Sequence, residues 1–268
     1  MNILDQIIGH KRNEIEERKT LWPTRILEKG ILFERSTHSL RKALLRADQT
    51  GIIAEFKRHS PSKGIINQHA SVEIVSTGYV EAGVAGLSIL TDTKFFGGSN
   101  EDLTLARKFN PCPILRKDFV IDEYQIVEAK SIGADVILLI AAVLTPEEVK
   151  RLANFSHSLG LEVLLEIHNE QEFLNNAQAS VDLVGVNNRD LKTFDVSIET
   201  SKRLSSLIPD VMVKVSESGI DDSASILELR KFGYKGFLIG QAFMQQANPG
   251  SACQGFINEL RQAQPKLA

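Results

Sequence analysis

From Gly51 onward the chain repeats one pattern eight times, and nothing else in it constrains the fold as tightly. Short apolar, β-rich runs occupy 52–56, 86–90, 113–116, 135–140, 161–166, 183–186, 211–215 and 236–239. Helix-patterned segments alternate with them, at 71–82, 100–109, 122–132, 145–159, 169–177, 197–207, 221–232 and 250–264. The start and stop signals agree: Thr145-Pro146-Glu147-Glu148 puts Thr at an N-cap and Pro at N1, and Gly83, Gly133 and Gly233 close helical runs. The spacing of strand starts fits one strand, one loop and one helix. Eight such units in succession predict a (β/α)8 TIM barrel. A doubly wound open sheet competes, but it usually has fewer units and often opens on a Gly-rich fingerprint, which this chain lacks.

A length of 268 residues suits a single barrel domain spanning 1–268, with 1–50 as an N-terminal helical extension. Residues 2–19 read as an amphipathic helix with Asn2 as N-cap, Asp5 in the first turn, and Ile3, Ile7, Ile8 and Ile15 near helical spacing. The Lys/Glu run from Lys11 to Lys19 reads as its solvated face. A second helix fits Ser36 to Asp48, with Leu40, Ala43 and Leu44 as its stripe. No fused second enzyme is expected, because the chain stops at Ala268 shortly after the eighth helical segment.

Composition excludes several classes. Hydrophobic content of 43% supports a substantial core, and a net charge of -3 argues against a general nucleic-acid binder, which needs a basic face. Met1 to Lys19 is too charged for a signal peptide, and the apolar run Val136 to Leu144 is too short to span a bilayer. Cys112 and Cys253 form no metal or redox spacing, which fits a reduced cytoplasmic protein with inert thiols.

Barrel chemistry collects at the carboxyl ends of strands. Strand 1 ends in Glu55, Lys57 and Ser60; the two-residue pleat puts Glu55 and Lys57 on one face, and Ala54 and Phe56 on the other. An acid and an amine there must be paired, solvated or functional, since burying either alone is costly. For an isolated Glu-x-Lys the plain reading is a structural ion pair. The rim pattern recurs, however. Strand 3 ends in Arg116-Lys117-Asp118, strand 5 in Glu166-Ile167-His168, strand 6 in Asn187-Asn188-Arg189-Asp190, and strand 7 in Glu217-Ser218-Gly219. Single residues keep plainer readings: Arg116 and Asp190 as rim salt bridges, His168 as a loop or cap histidine, Asp118 as a cap on the next helix. Lys57, Lys117, Glu166 and Asn187 together read as an active site.

The last two strand ends suggest an anion. Ser218-Gly219 precedes the helix beginning near Asp221, and Gly240-Gln241 follows strand 8; small residues there let backbone N–H groups approach a phosphate. Ser60 and Arg189 can contribute. No metal is expected, since no two histidines share ligand spacing and the carboxylates have lysine neighbours. A Schiff-base lysine fits the same rim.

Glu55-Phe56-Lys57-Arg58-His59-Ser60-Pro61-Ser62 closely resembles the signature of the indole-3-glycerol phosphate synthase family, lyases of tryptophan biosynthesis. LSILTDTKFFGGS, ILRKDFVID, LLEIHN, GVNNRDLKTF and SESGI follow in the family's order, and the likeness includes the N-terminal ILDQIIGHKRNEI. Six motifs in register are specific in a way that no single one is. The resemblance implies closure of 1-(2-carboxyphenylamino)-1-deoxyribulose 5-phosphate to indole-3-glycerol phosphate with loss of CO2 and water. Lys117 matches the family's general acid, Lys57 the cation that holds the substrate carboxylate, and Glu166 the carboxylate of the dehydration step, with the division of that step between Lys57 and Glu166 open. By the same resemblance Glu55 and Glu217 orient the lysines, and Asn187 and Ser218 bind substrate hydroxyls or the carboxylate. Phe96, Phe119, Leu138 and Leu191 match the apolar wall that holds the anthranilate ring in a near-attack pose. The phosphate site maps onto Ser60, Gly219 and Gly240; Gln241 departs from the small residue found there in some members. The resemblance implies no cofactor, and it leaves room for association with other enzymes of tryptophan biosynthesis.

Three rivals share parts of this pattern. A phosphoribosylanthranilate isomerase would use an early Cys and an Asp where strand 1 offers Glu55 and Lys57. An aldolase needs only one strand-end lysine. A phosphosugar-binding barrel without catalysis would not need the whole acid-base set.

Overall fold

The computed structural model describes residues 3–191 and 193–263. Eight parallel strands close into a barrel: β1 (Ile52–Phe56), β2 (Gly86–Leu90), β3 (Ile114–Lys117), β4 (Val136–Ile140), β5 (Glu162–Ile167), β6 (Leu183–Asn187), β7 (Val213–Glu217) and β8 (Gly236–Ile239). Each pairs with its neighbours in sequence, and β8 closes on β1 through Ile53↔Leu238 and Ala54↔Ile239. Behind the strands lie α1 (Val72–Ala82), α2 (Asn100–Phe109), α3 (Glu123–Ser131), α4 (Pro146–Ser158), α5 (Glu170–Asn176), α6 (Glu199–Leu204), α7 (Ser223–Lys231) and α8 (Pro249–Ala263). The bounds of β1, β2, β8 and α2 are those the sequence pattern predicts; β7 begins two residues later, α7 is shorter at both ends, and Asn2 and Gln264 lie outside the described residues.

The pleat sorts the strands into two cores. Ile52, Ala54 and Phe56 face the helices, whereas Ile53 joins Leu115, Leu164 and Val215 inside the barrel. Those four come from alternate strands and form one interior layer, the usual way a barrel of eight fills itself. One pleat further along the same strands stand Glu55, Lys117, Glu166 and Glu217. The next packing layer is therefore made of charges.

The chain before β1 wraps the barrel from its floor to its mouth. The second helix is Leu40–Leu45, shorter than its pattern suggests; Ser39 caps it, and Leu40 and Leu44 plug the barrel floor beside Gly86 and Gly236. The first helix, Ile3–Leu21, runs along α3, with Arg18 on Glu128 and Lys19 on Asp122. Its Lys11 is not on a solvated face. It is fully buried, 3.0 Å from both Asp92 and Asp118. Asp118 thus serves Lys11 and Thr91 rather than capping α3, which is capped by Asp122 with Gln125 closing a capping box. Arg116 is no rim residue either; it is buried between β3 and α3, on Glu128 at 2.6 Å and the Gln125 carbonyl at 2.7 Å. Among the described residues no helix is long and apolar enough to cross a membrane.

Candidate active site

The charged layer opens into a cavity of about 460 Å³ at the carboxyl ends of the strands, within the ~300–1,000 Å³ usual for small-molecule sites. All sixteen rim and loop residues singled out from the sequence line it, although they span Glu55 to Gln241. The alternating pleat makes this convergence, since it turns every second residue of each strand inward.

Lys117 is the hub. Its Nζ lies 2.7 Å from Glu166 Oε2 and 2.7 Å from Glu217 Oε2, bridging β5 and β7. Lys57 Nζ lies 2.6 Å from Glu55 Oε1, and Ser88 Oγ donates to the other oxygen at 3.4 Å. Asn187 Nδ2 donates to Glu166 Oε1 at 3.2 Å, and Asn187 Oδ1 accepts from the Arg189 backbone N–H at 3.0 Å. His168, one pleat beyond Glu166, brings Nε2 within 3.4 Å of Glu166 Oε1, while Nδ1 sits 3.2 Å from Glu172 Oε2.

These neighbours set the charge states. Burial would lower the Lys117 ammonium, but Glu166, Glu217 and Glu55 outweigh it and hold it above the ordinary lysine range. Burial would raise Glu166; the Lys117 charge and His168 prevail and hold it below the usual carboxylate range. Glu217 goes the other way. Burial, with one oxygen left without a hydrogen-bond partner, pushes it up to about 7 against the pull of Lys117, and Glu166 and Glu55 add to the rise.

Room for this layer comes from small residues on the even strands. A Cβ on Gly185 would stand 2.1 Å from Glu217 Oε1, and one on Gly240 would stand 2.7 Å from Glu55 Oε1. A strand-interior glycine marks such a close approach, and Gly185 is a site determinant that the rim-by-rim sequence reading passed over. Gly185→Ala is therefore expected to displace the Glu217 carboxylate and to cut kcat by roughly a hundredfold, as ångström-scale misplacement of a catalytic group does. Steady-state kinetics on the folded variant checks this; turnover within twofold of wild type would remove Glu217 from the machinery.

One wall of the cavity is apolar. Phe96 and Phe119 meet with ring centroids 6.0 Å apart at 40°, and Leu138 and Leu191 line the same space. Ile3, Leu4 and Ile7 of the first helix also reach it, a contribution that helical periodicity alone did not reveal. Opposite, Ser218 and Gly219 both hold left-handed backbone, at φ 69° and 70°, and Val196 would touch any Cβ on Gly219 at 2.3 Å. For Ser218 that conformation is strained, a feature that concentrates at functional sites. Gly240 precedes the short helix Gln241–Met244 and gives it no side-chain cap. Ser60 faces this end from the hairpin His59–Ser60/Gly64–Ile65, and Arg189 from the loop after β6, its Nη1 on the Phe194 carbonyl at 3.2 Å. Among the described residues no group of three or more His, Cys, Asp or Glu side chains could hold a metal ion.

Comparison with known proteins agrees with this architecture. Residues 4–256 match the family model described as indole-3-glycerol phosphate synthase. An indole-3-glycerol phosphate synthase of Bacteroides thetaiotaomicron is 47% identical over 260 residues, covering 97% of this chain and 99% of the relative. Those of Acidithiobacillus ferrooxidans and Carboxydothermus hydrogenoformans are 40% and 39% identical, each covering 94% of this chain, and 97% and 98% of the relative. A thiamine phosphate pyrophosphorylase structure from Pyrococcus furiosus superposes with a TM-score of 0.58 at 16% identity, over 84% of this chain and 96% of that one, which shows a shared fold alone. With a family match from end to end of the barrel and relatives this alike over nearly their whole length, the chain belongs to the indole-3-glycerol phosphate synthase family.

Proposed function

We propose that this cavity closes 1-(2-carboxyphenylamino)-1-deoxyribulose 5-phosphate to indole-3-glycerol phosphate, releasing CO2 and water, with Lys117 as general acid. The observation that carries the reading is the Lys117 ammonium, held between Glu166 and Glu217 at the floor of a cavity with an apolar wall and a glycine-lined end. The ring carbon that bears the carboxylate attacks the ribulose C2 carbonyl, and the nitrogen lone pair becomes an iminium. Lys117 protonates the carbonyl oxygen as the new bond forms. Positioned proton donation of this kind contributes ~10²–10⁴ in rate. CO2 then leaves, and its bonding pair restores the aromatic ring. Glu166 takes the ring N–H proton as the Lys57 ammonium, freed of the departed carboxylate, protonates the hydroxyl so that it leaves as water, and a methylene proton shifts to nitrogen to give the indole.

The remaining residues bind and orient. Lys57 faces the substrate carboxylate, oriented by its ion pair with Glu55 at 2.6 Å. Asn187 and Ser218 bind hydroxyls or the carboxylate, and Phe96, Phe119, Leu138 and Leu191 press the ring toward the carbonyl. The phosphate lies at Ser60, Gly219, Gly240 and Arg189, where backbone N–H groups at a helix start suit an anion; Gln241 borders that end. A Schiff base, the rival use of a strand-end lysine, needs a neutral amine, and two carboxylates hold Lys117 in the opposite state. Two free thiols, Cys112 and the buried Cys253, suit work in the cytoplasm. Mixing the protein with the carboxyphenylamino-deoxyribulose phosphate should produce indole fluorescence with one CO2 released per turnover. Absence of both from the folded protein would refute the assignment.

A further inference from the structure

We propose that His168 is a positioning residue for this reaction: as an imidazolium braced by Glu172, it keeps the Glu166 carboxylate in place and ionised when Lys117 turns from it to the substrate. This rests on the assignment of Glu166 as the base of the dehydration step. His168 is fixed from behind. Its backbone N–H and its Nδ1 both meet Glu172 Oε2, at 2.7 and 3.2 Å. Glu172 is itself held by Asn169, whose Nδ2 donates to Oε1 at 2.7 Å and whose Oδ1 accepts the Glu172 N–H at 3.0 Å. With Nδ1 on Glu172, the other ring nitrogen faces inward. Nε2 is buried, makes no aligned hydrogen bond, and stands 3.4 Å from Glu166 Oε1, the oxygen that Asn187 also holds.

The charged groups facing the ring are Glu166 on β5 and Glu172 on α5, with Lys117 across Glu166. Burial would lower the imidazole, but the hydrogen bonds and charges of the two glutamates outweigh it and push it up to about 10. Proton donation to the carbonyl oxygen uses up the Lys117 charge that stabilises Glu166. A buried carboxylate that loses its only cation takes up a proton, and a protonated Glu166 cannot serve as base. A second, fixed cation on its far oxygen prevents that. Asn187 can orient the group but carries no charge.

The test uses the full chain and two variants, His168→Gln, which keeps a neutral donor, and Glu172→Gln, which keeps an acceptor oxygen but removes the negative charge behind the ring. In both, the acidic limb of the kcat profile should move up by about one pH unit, a loss approaching tenfold on the acidic side of that limb that is recovered on the alkaline side. KM should stay within about twofold, and His168→Gln should add nothing in a Glu166→Gln background. NMR of the wild-type imidazole should show the cation up to at least pH 8. An unmoved acidic limb with a uniform loss, or an imidazole neutral at pH 7, would overturn the proposal while leaving the lyase assignment standing. A wild-type protein that forms no indole product would remove both. If His168→Gln does not fold, Glu172→Gln and the wild-type titration decide.

Discussion

Replacing Lys117 by alanine is expected to lower kcat by ~10²–10⁴-fold with KM little changed, a loss of about 3–5 kcal/mol of transition-state stabilisation. The split follows from the geometry. Lys117 lies at the floor of the cavity on two carboxylates, so what it gives the reaction is a proton as the oxygen turns basic, not affinity for the resting substrate. Lys117→Arg should keep the ion pairs yet recover little rate, because a guanidinium gives up its proton far less readily. The same substitution has a second signature in stability. Glu217 titrates higher in the folded protein than in the unfolded chain, so the folded state holds an extra proton between the ordinary glutamate pKa and about 7. Stability therefore declines as pH rises through that window. Without the Lys117 charge that opposes the rise, the window extends upward, and urea unfolding of Lys117→Ala should show a steeper decline from pH 5 to 8. Full turnover in this variant would mean that the acid has been wrongly assigned.

Lys11→Met is expected to cost ~3–5 kcal/mol of folding stability, equivalent to a fall in Tm of roughly 10 °C. Asp92 and Asp118 are buried around this one ammonium, and breaking a buried pair leaves charge uncompensated. Burial would lower Lys11, but Asp118, Asp92 and Glu14 prevail and raise it; against its own burial, Asp118 is held below the aspartate range by Lys11 and Arg116. The Asp118 contribution is present above the ordinary aspartate pKa and fades on acidification through the folded value, and the Lys11 contribution fades only above the ordinary lysine range. Between those limits the loss in Lys11→Met should be nearly independent of pH, and it should shrink toward pH 3. Asp92→Asn/Asp118→Asn in the Lys11→Met background should restore part of it. A change below about 1 kcal/mol at pH 7 would show that the first helix is not anchored through this residue.

The barrel and the cavity residues were legible because both depend on local periodicity. A pleat of period two fixes which side of β1 holds Glu55 and Lys57, and eight such strands aim their last inward residues at one mouth. The partners of those residues were less accessible. Lys11 sits at helical spacing between Ile7 and Ile15, and that placement hints at burial, but its counter-charges arrive from the turns after β2 and β3. Arg116 looked like a rim charge because it neighbours Lys117 in sequence, although the same pleat that turns Lys117 inward turns Arg116 out toward α3. The one-turn elements Thr24–Leu27, Thr93–Phe96 and Gln241–Met244, and the hairpin that carries Ser60, are too short to impose a period.

The most direct test of the convergent site is a crystal structure of the complex with indole-3-glycerol phosphate. The indole ring should lie against Phe119 and Leu138 within reach of Lys117 and Glu166, and the phosphate should lie on the backbone at Gly219 and Gly240 beside Ser60. A phosphate bound away from those glycines, or a ring outside the cavity beyond reach of Lys117, would contradict the account.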